Sequence, residues 1–143
     1  MLKGSCACGK ISYEIHGDLE GPISYCHCWR CRKHSGSSFG TTATLSMDQL
    51  CFVEGEELLS FWESSPGFRR HFASCCGSPI YKTEHDSEEI GFRLGTLDED
   101  PGVVVELHYM VNSAAPWVPL DDALEREAGH DGPFGDYVER NDA

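Results

Sequence analysis

The sequence predicts a mainly β fold, a sandwich or tent of short antiparallel strands, on three observations. Short apolar runs of strand length recur along the whole chain. Gly and Pro residues punctuate the gaps between them. Helix-capping signals are few. The chain has 143 residues and 40% hydrophobic content, which suits a single domain with one core.

Ile11, Tyr13 and Ile15 alternate with Ser12 and Glu14, as a half-buried strand requires. His16-Gly17-Asp18 then breaks the run. Residues 39–45, 51–53, 58–62, 68–72, 89–94 and 103–111 read as further strands. Gly55, Pro66-Gly67, Gly77 and Pro101-Gly102 fall between or just after them as turn residues. Residues 46–50 suit one capped helical turn and 121–127 another, both too short to organise a fold. The last residues, 121–143, are rich in acids, with Leu124, Phe134 and Tyr137 as their large apolar groups. This stretch reads as an extension that is loosely packed or partly mobile. No internal repeat and no linker-like low-complexity segment is present.

The formal charge is −13, which would repel the phosphates of a nucleic acid. Arg30, Arg32, Lys33, Arg69 and Arg70 nonetheless lie beside cysteines, while much of the acid follows Glu84. Those cations either offset thiolate charge or recruit an anionic substrate. The N-terminus has no apolar leader core, and no run approaches the roughly 18 apolar residues of a membrane span. A reduced, cytoplasmic protein with no membrane and no nucleic-acid partner is the expectation.

The eight cysteines are clustered rather than scattered, which favours metal over disulfides. Cys26, Cys28 and Cys31 place three thiols within six residues, a spacing that lets sulfur converge on one ion through a tight loop. Zinc takes such soft ligands in a tetrahedron. Three readings fit: a zinc ion with an open fourth position for chemistry, a closed structural zinc with a fourth ligand from elsewhere, or a redox pair of Cys28 and Cys31. A second group unites Cys6-Ala7-Cys8-Gly9 with Cys75-Cys76-Gly77, two turns ended by glycine as in a zinc knuckle. Such a cross-link would stabilise a modest core, unless Cys75 and Cys76 are simply small buried side chains. Cys51, inside an apolar run, reads as core. Strand alternation turns His27 away from the thiols on either side of it. His16, His34, His71, His85 and His130 have no ligand spacing, and His108 alternates with apolar residues so as to face solvent or a cleft.

These motifs carry a resemblance. Gly4-Ser5-Cys6-Ala7-Cys8-Gly9 with Tyr13, Cys26-His27-Cys28-x-x-Cys31-Arg32 with Gly36 and Phe39, Phe72 to Gly77 followed by Ser78-Pro79-Ile80-Tyr81, and Ala115-Pro116-Trp117 together resemble the glutathione-dependent formaldehyde-activating family, or CENP-V/GFA domain, over about residues 4–120. The resemblance implies an Mss4-like β-tent, zinc-stabilised, in residues 1–120, with 121–143 as an acidic extension. It implies a carbon–sulfur lyase whose partners are a small thiol such as glutathione and an aldehyde, with S-hydroxymethylglutathione as the adduct of glutathione and formaldehyde.

By motif, Cys26, Cys28 and Cys31 would hold a catalytic zinc, and Cys6, Cys8 and Cys76 a structural one. The chain departs from the family's F-C-x-x-C-G at Ala73, so the second site is one thiolate short. Cys75 could move in, although adjacent ligands demand awkward backbone geometry; a water could fill the gap; or the site could bind zinc weakly. Arg30, Arg32, Lys33 and Arg69 are the nearest candidates for the carboxylates of glutathione, and Trp29 or Trp117 for a wall excluding water. The rival to an enzyme is a non-catalytic zinc-stabilised binding module, which a fourth protein ligand beside Cys26, Cys28 and Cys31 would favour.

Overall fold

The computed structural model describes residues 1–129; Phe134, Tyr137 and His130 lie outside the described residues. The fold is mainly β, in two sheets. The small sheet orders β1 (Leu2–Ser5), β2 (Ser12–Ile15) and β5 (Leu50–Glu54) side by side. The large sheet has eight strands. Its order is β11 (Glu125–Arg126), β10 (Leu107–Tyr109), β3 (Glu20–Cys26), β4 (Gly40–Ser46), β9 (Glu89–Arg93), β8 (Pro79–Glu84), β7 (Phe68–Ala73) and β6 (Leu59–Ser65). Most pairings are antiparallel, as expected, but β10 runs parallel to both β3 and β11.

The core forms where the two sheets meet. Alternation along β2 buries Tyr13 and Ile15, and these join Ile11, Leu45, Ile80, Ile90 and Phe92 in one apolar cluster. Tyr13 makes edge contacts with Phe92 at 5.7 Å and Phe52 at 6.3 Å between ring centroids, a favoured aromatic geometry. Its hydroxyl meets Thr96 Oγ1 at 2.6 Å, so the one polar atom that the ring carries inward is satisfied.

Several expectations need correcting. Residues 103–111 yield only the three-residue β10, and Val104 is exposed. Residues 121–127 do not form a helical turn; Glu125 and Arg126 pair with Leu107 and His108 and extend the large sheet. Cys51 is not core, because the alternation of β5 buries Leu50 and turns the next side chain outward. One element unforeseen in the sequence is α1 (Trp29–Ser35). Cys28 caps it, its sulfur accepting from Cys31 N–H at 3.3 Å. Gly36, with φ of 65°, ends it in the left-handed conformation. The single turn expected near residue 48 is present as a 3-10 helix, Met47–Gln49, with Gln49 Oε1 accepting from Ser46 N–H at 2.8 Å.

Gly4 lies opposite Tyr13 in the β1–β2 ladder, and a Cβ there would stand 2.1 Å from the tyrosine oxygen. The strand can pair at this point only because position 4 has no side chain. Gly4→Ala is therefore expected to destabilise the fold by about 1–3 kcal/mol, the usual cost of overpacking. Thermal or urea unfolding measures it, and an unchanged midpoint would contradict this account of the core.

Candidate metal centre

All eight cysteines are free thiols, and seven of them gather in two clusters. The first links the turn between β1 and β2 to the turn after β7. Cys6 N–H donates to Ile11 O and Gly9 N–H to Cys6 O, which curls the chain so that Cys6 and Cys8 sulfurs stand 3.6 Å apart. Across from them, Gly77 N–H donates to Ala73 O at 2.7 Å with Gly77 at φ of 83°. This tight turn swings Cys75 inward, its sulfur 3.3 Å from that of Cys8 and 3.9 Å from that of Cys6. Cys76 completes the set, all four sulfurs lying within 4.8 Å of one another.

Despite Ala73, Cys75 thus brings a fourth sulfur into reach of the other three. The adjacent cysteines both reach the cluster because Ser74, Cys75 and Cys76 lie in a turn rather than on a strand, where successive side chains would diverge. Ala73 itself is fully buried in the core.

The second cluster joins Cys26, at the end of β3, with Cys28 and Cys31 at the start of α1. Among the described residues, no fourth Cys, His, Asp or Glu joins it. Two guanidiniums approach instead: Arg70 Nη1 lies 3.4 Å and Arg93 Nη2 3.8 Å from Cys31 Sγ. Arg93 also donates to Thr42 Oγ1. Hydrogen bonding from Cys26 and Cys28, aided by Arg93 and Arg70, holds the Cys31 thiol well below its ordinary pKa despite its burial. Hydrogen bonding to Cys28 and Cys31, together with burial, pushes the Cys26 thiol upward.

Sequence reasoning missed Arg93 and did not single out Arg70 from its neighbours, since neither lies near a cysteine loop in a way that betrays its direction. Of the four cations that it favoured, Arg32 lies near His27, where its charge acts on that ring, and the other three point elsewhere. Arg30 stacks on Trp29 at 4.4 Å and donates to Ser64 O, Arg69 covers Phe61 at 4.4 Å, and Lys33 is exposed. Trp29 is buried and Trp117 exposed, and neither lines a cavity at the cluster.

His27, between two of the thiols in sequence, turns away from them. Its Nε2 meets His108 Nδ1 at 2.8 Å, and His108 Nε2 meets Asp122 Oδ2 at 2.8 Å. Both rings are buried, so His108 does not face solvent, one of the two directions that its alternation suggested. The carboxylate accepts, which places a proton on His108 Nε2; in the neutral ring Nδ1 then accepts from His27. Burial first, then His108 and Arg32, pull His27 down to about 4. The chain of bonds ties the cysteine loop to β10 and to the segment before β11.

Two clefts open on either side of Cys31 and Arg93, which line both. One, of about 300 Å³, reaches Cys26 and carries Lys82, Glu84, Glu89 and Glu127. The other, of about 350 Å³, carries Arg70 and His34. Among the described residues, no helix is long and apolar enough to cross a membrane.

Sulfur-only donor sets in reach of one ion, one of four and one of three, fit zinc by the chemistry of their atoms. Fold and clusters together define a cysteine-rich, mainly β domain with two thiol groups that could each hold a metal ion, one of four sulfurs and one of three.

The chain belongs to the family of glutathione-dependent formaldehyde-activating enzymes, whose family model matches residues 1–113. It is similar to a Halomonas elongata protein that bears the name glutathione-dependent formaldehyde-activating enzyme provisionally. Those two are 29% identical over 130 residues, 85% of this chain and 82% of that protein. Among solved structures, it is similar to the crystal structure of a Rhodobacter sphaeroides protein with a TM-score of 0.57 and 25% identity, covering 72% of this chain and 91% of the other.

Two outcomes are expected of the first cluster. Ser78 holds the Cys76 thiol down at about 6, while Cys8 pushes Cys75 up to about 12. In the reduced, metal-free chain, iodoacetamide should therefore alkylate Cys76 well before Cys75 at neutral pH, with a rate that rises through pH 6 as the thiolate forms; peptide mass mapping reads the order. In the metal-loaded chain, Cys75→Ser should hasten release of about one zinc per chain to a chelator, whereas Cys51→Ser should not. Equal release from both variants would remove Cys75 from the donor set.

Proposed function

We propose that this chain is a zinc-dependent carbon–sulfur lyase that handles a thiol adduct of the S-hydroxymethylglutathione kind, joining glutathione to formaldehyde or releasing it. The observation that carries this reading is the three-thiol cluster at Cys26, Cys28 and Cys31, which opens on two clefts and has no fourth donor among the described residues. A binding module stabilised by metal would have most use for a closed site.

In this reading Cys26, Cys28 and Cys31 hold a catalytic zinc, and Cys6, Cys8, Cys75 and Cys76 a structural one. When bound, the catalytic ion would supply Lewis acidity, lowering a thiol pKa or polarising a carbonyl. The chain's own residues do the rest. Arg70 and Arg93 keep Cys31 anionic and in place. His27, anchored on His108, fixes the loop between Cys26 and Cys28. The flanking clefts hold the two parts of the adduct close to the reacting atoms, and such positioning lowers the barrier to their joining.

Cys28→Ser separates the enzyme from the module. A hydroxyl is a poorer zinc ligand than a thiolate, so the variant is expected to fall from about two zinc ions per chain to about one. It should lose adduct formation from glutathione and formaldehyde while keeping a β circular dichroism spectrum. Unfolding of the variant would favour the module, and undiminished adduct formation by a folded variant lacking that zinc would overturn the catalytic reading.

A further inference from the structure

The larger of the two clefts beside Cys31 differs from its neighbour in charge. Glu84, Glu89 and Glu127 line the smaller cleft, where the one lysine, Lys82, is already paired with Glu84 at 3.3 Å. Among the described residues lining the larger cleft there is no Asp or Glu, and Arg70 and Arg93 supply its formal charge. Arg70 is only 5% exposed, and its Nε has no hydrogen-bond partner. A buried guanidinium donor without an acceptor is costly unless something supplies one.

Cys31 cannot be that acceptor in full. With a divalent ion bound, two guanidiniums and that ion set against three thiolates would leave one positive charge unneutralised, and a monoanion would balance it. A carboxylate matches a guanidinium in geometry as well as charge. The volume of about 350 Å³ is within the range of small-molecule sites. The acidic cleft, by contrast, would repel a carboxylate and suits the ammonium end of a zwitterion.

We propose that the acid-free cleft is a carboxylate subsite, in which Arg70 and Arg93 hold an anionic end of the thiol substrate while its sulfur lies at the three-cysteine cluster. The proposal rests on the thiol-handling reading of that cluster, but it concerns specificity. Arg70 and Arg93 select thiols that carry a carboxylate over neutral thiols of equal reactivity, and none of the sequence candidates Arg30, Arg32, Lys33 and Arg69 lines this cleft.

The test uses ligands that cannot form a thiolate–metal bond. S-methylglutathione offers carboxylates without a free thiol, and its dimethyl ester offers the same skeleton with neither negative charge. Titrated by calorimetry into the purified full-length chain, the acid is expected to bind at least about tenfold more tightly than the ester, as for a charge-assisted pair.

Arg70→Gln should bring that ratio close to one. Should that variant fail to fold, Gly95 gives a second handle. It lines the same cleft, and a Cβ there meets nothing within 4 Å. Gly95→Asp should erase the preference by placing a carboxylate in the cleft, whereas Gly95→Asn, of the same shape, should keep it.

Equal binding of acid and ester by the wild type, or binding of neither, overturns the subsite. So does a preference that survives Gly95→Asp, or one that Gly95→Asn loses equally. Failure here with intact adduct formation from glutathione and formaldehyde would sink the subsite alone; a charge preference without adduct formation would sink the lyase reading alone.

Discussion

Crowded thiolates repel, and everything else in this molecule is arranged around that fact. Two unit charges 4 Å apart cost about 4 kcal/mol at the effective dielectric of a protein surface, so a cluster of three or four ionised sulfurs needs cations or donors among them. The two clusters meet this need differently. At the first, backbone and side-chain donors suffice to begin with: Ile11 N–H reaches Cys6 at 3.3 Å and Ser78 adjoins Cys76. At the second, the large sheet delivers two arginines, from β7 and β9, onto a cysteine of α1. Strands far apart in sequence are thereby committed to a fixed spacing, because both side chains must converge on one sulfur.

The sulfur of Cys28 serves two ends at once. It accepts the N–H of Cys31, one of the unpaired donors in the first turn of α1, which helps a seven-residue helix that is too short to persist on its own propensity. It also belongs to the group of three thiols that could hold an ion. Helix and cysteine loop therefore share one sulfur, and Gly36 stops the helix directly after Ser35. The chain can then return as β4 alongside β3, with Gly40 opposite Cys26.

The fold class and the grouping of the cysteines were legible in the sequence, because strand alternation and ligand spacing are both local patterns. Tyr13 and Ile15 announced their burial through period two, and the three-thiol loop through its spacing. What could not be read locally was direction. Cys51 sits among apolar neighbours, yet its parity along β5 faces it outward. Cys75 looked excluded by its neighbour Cys76 until the turn that carries both was seen. Arg93 has no sequence feature that sets it apart, since its role comes from a register between β4 and β9. The alternation around His108 suggested solvent or a cleft rather than burial, and its partners lie 81 residues before it and 14 after it in sequence.

The match to the family ends at residue 113, but the sheet does not. Asp122 hydrogen-bonds His108, Arg126 Nη2 donates to the carbonyls of Leu120 and Asp122, and β11 covers the outer flank of β10. An expression fragment cut at the family boundary would leave β10 as a bare edge strand and bury an imidazole N–H with nothing to receive it. Such edges invite intermolecular pairing. The unit of homology and the unit that can be handled in a test tube are therefore different lengths of the same polypeptide.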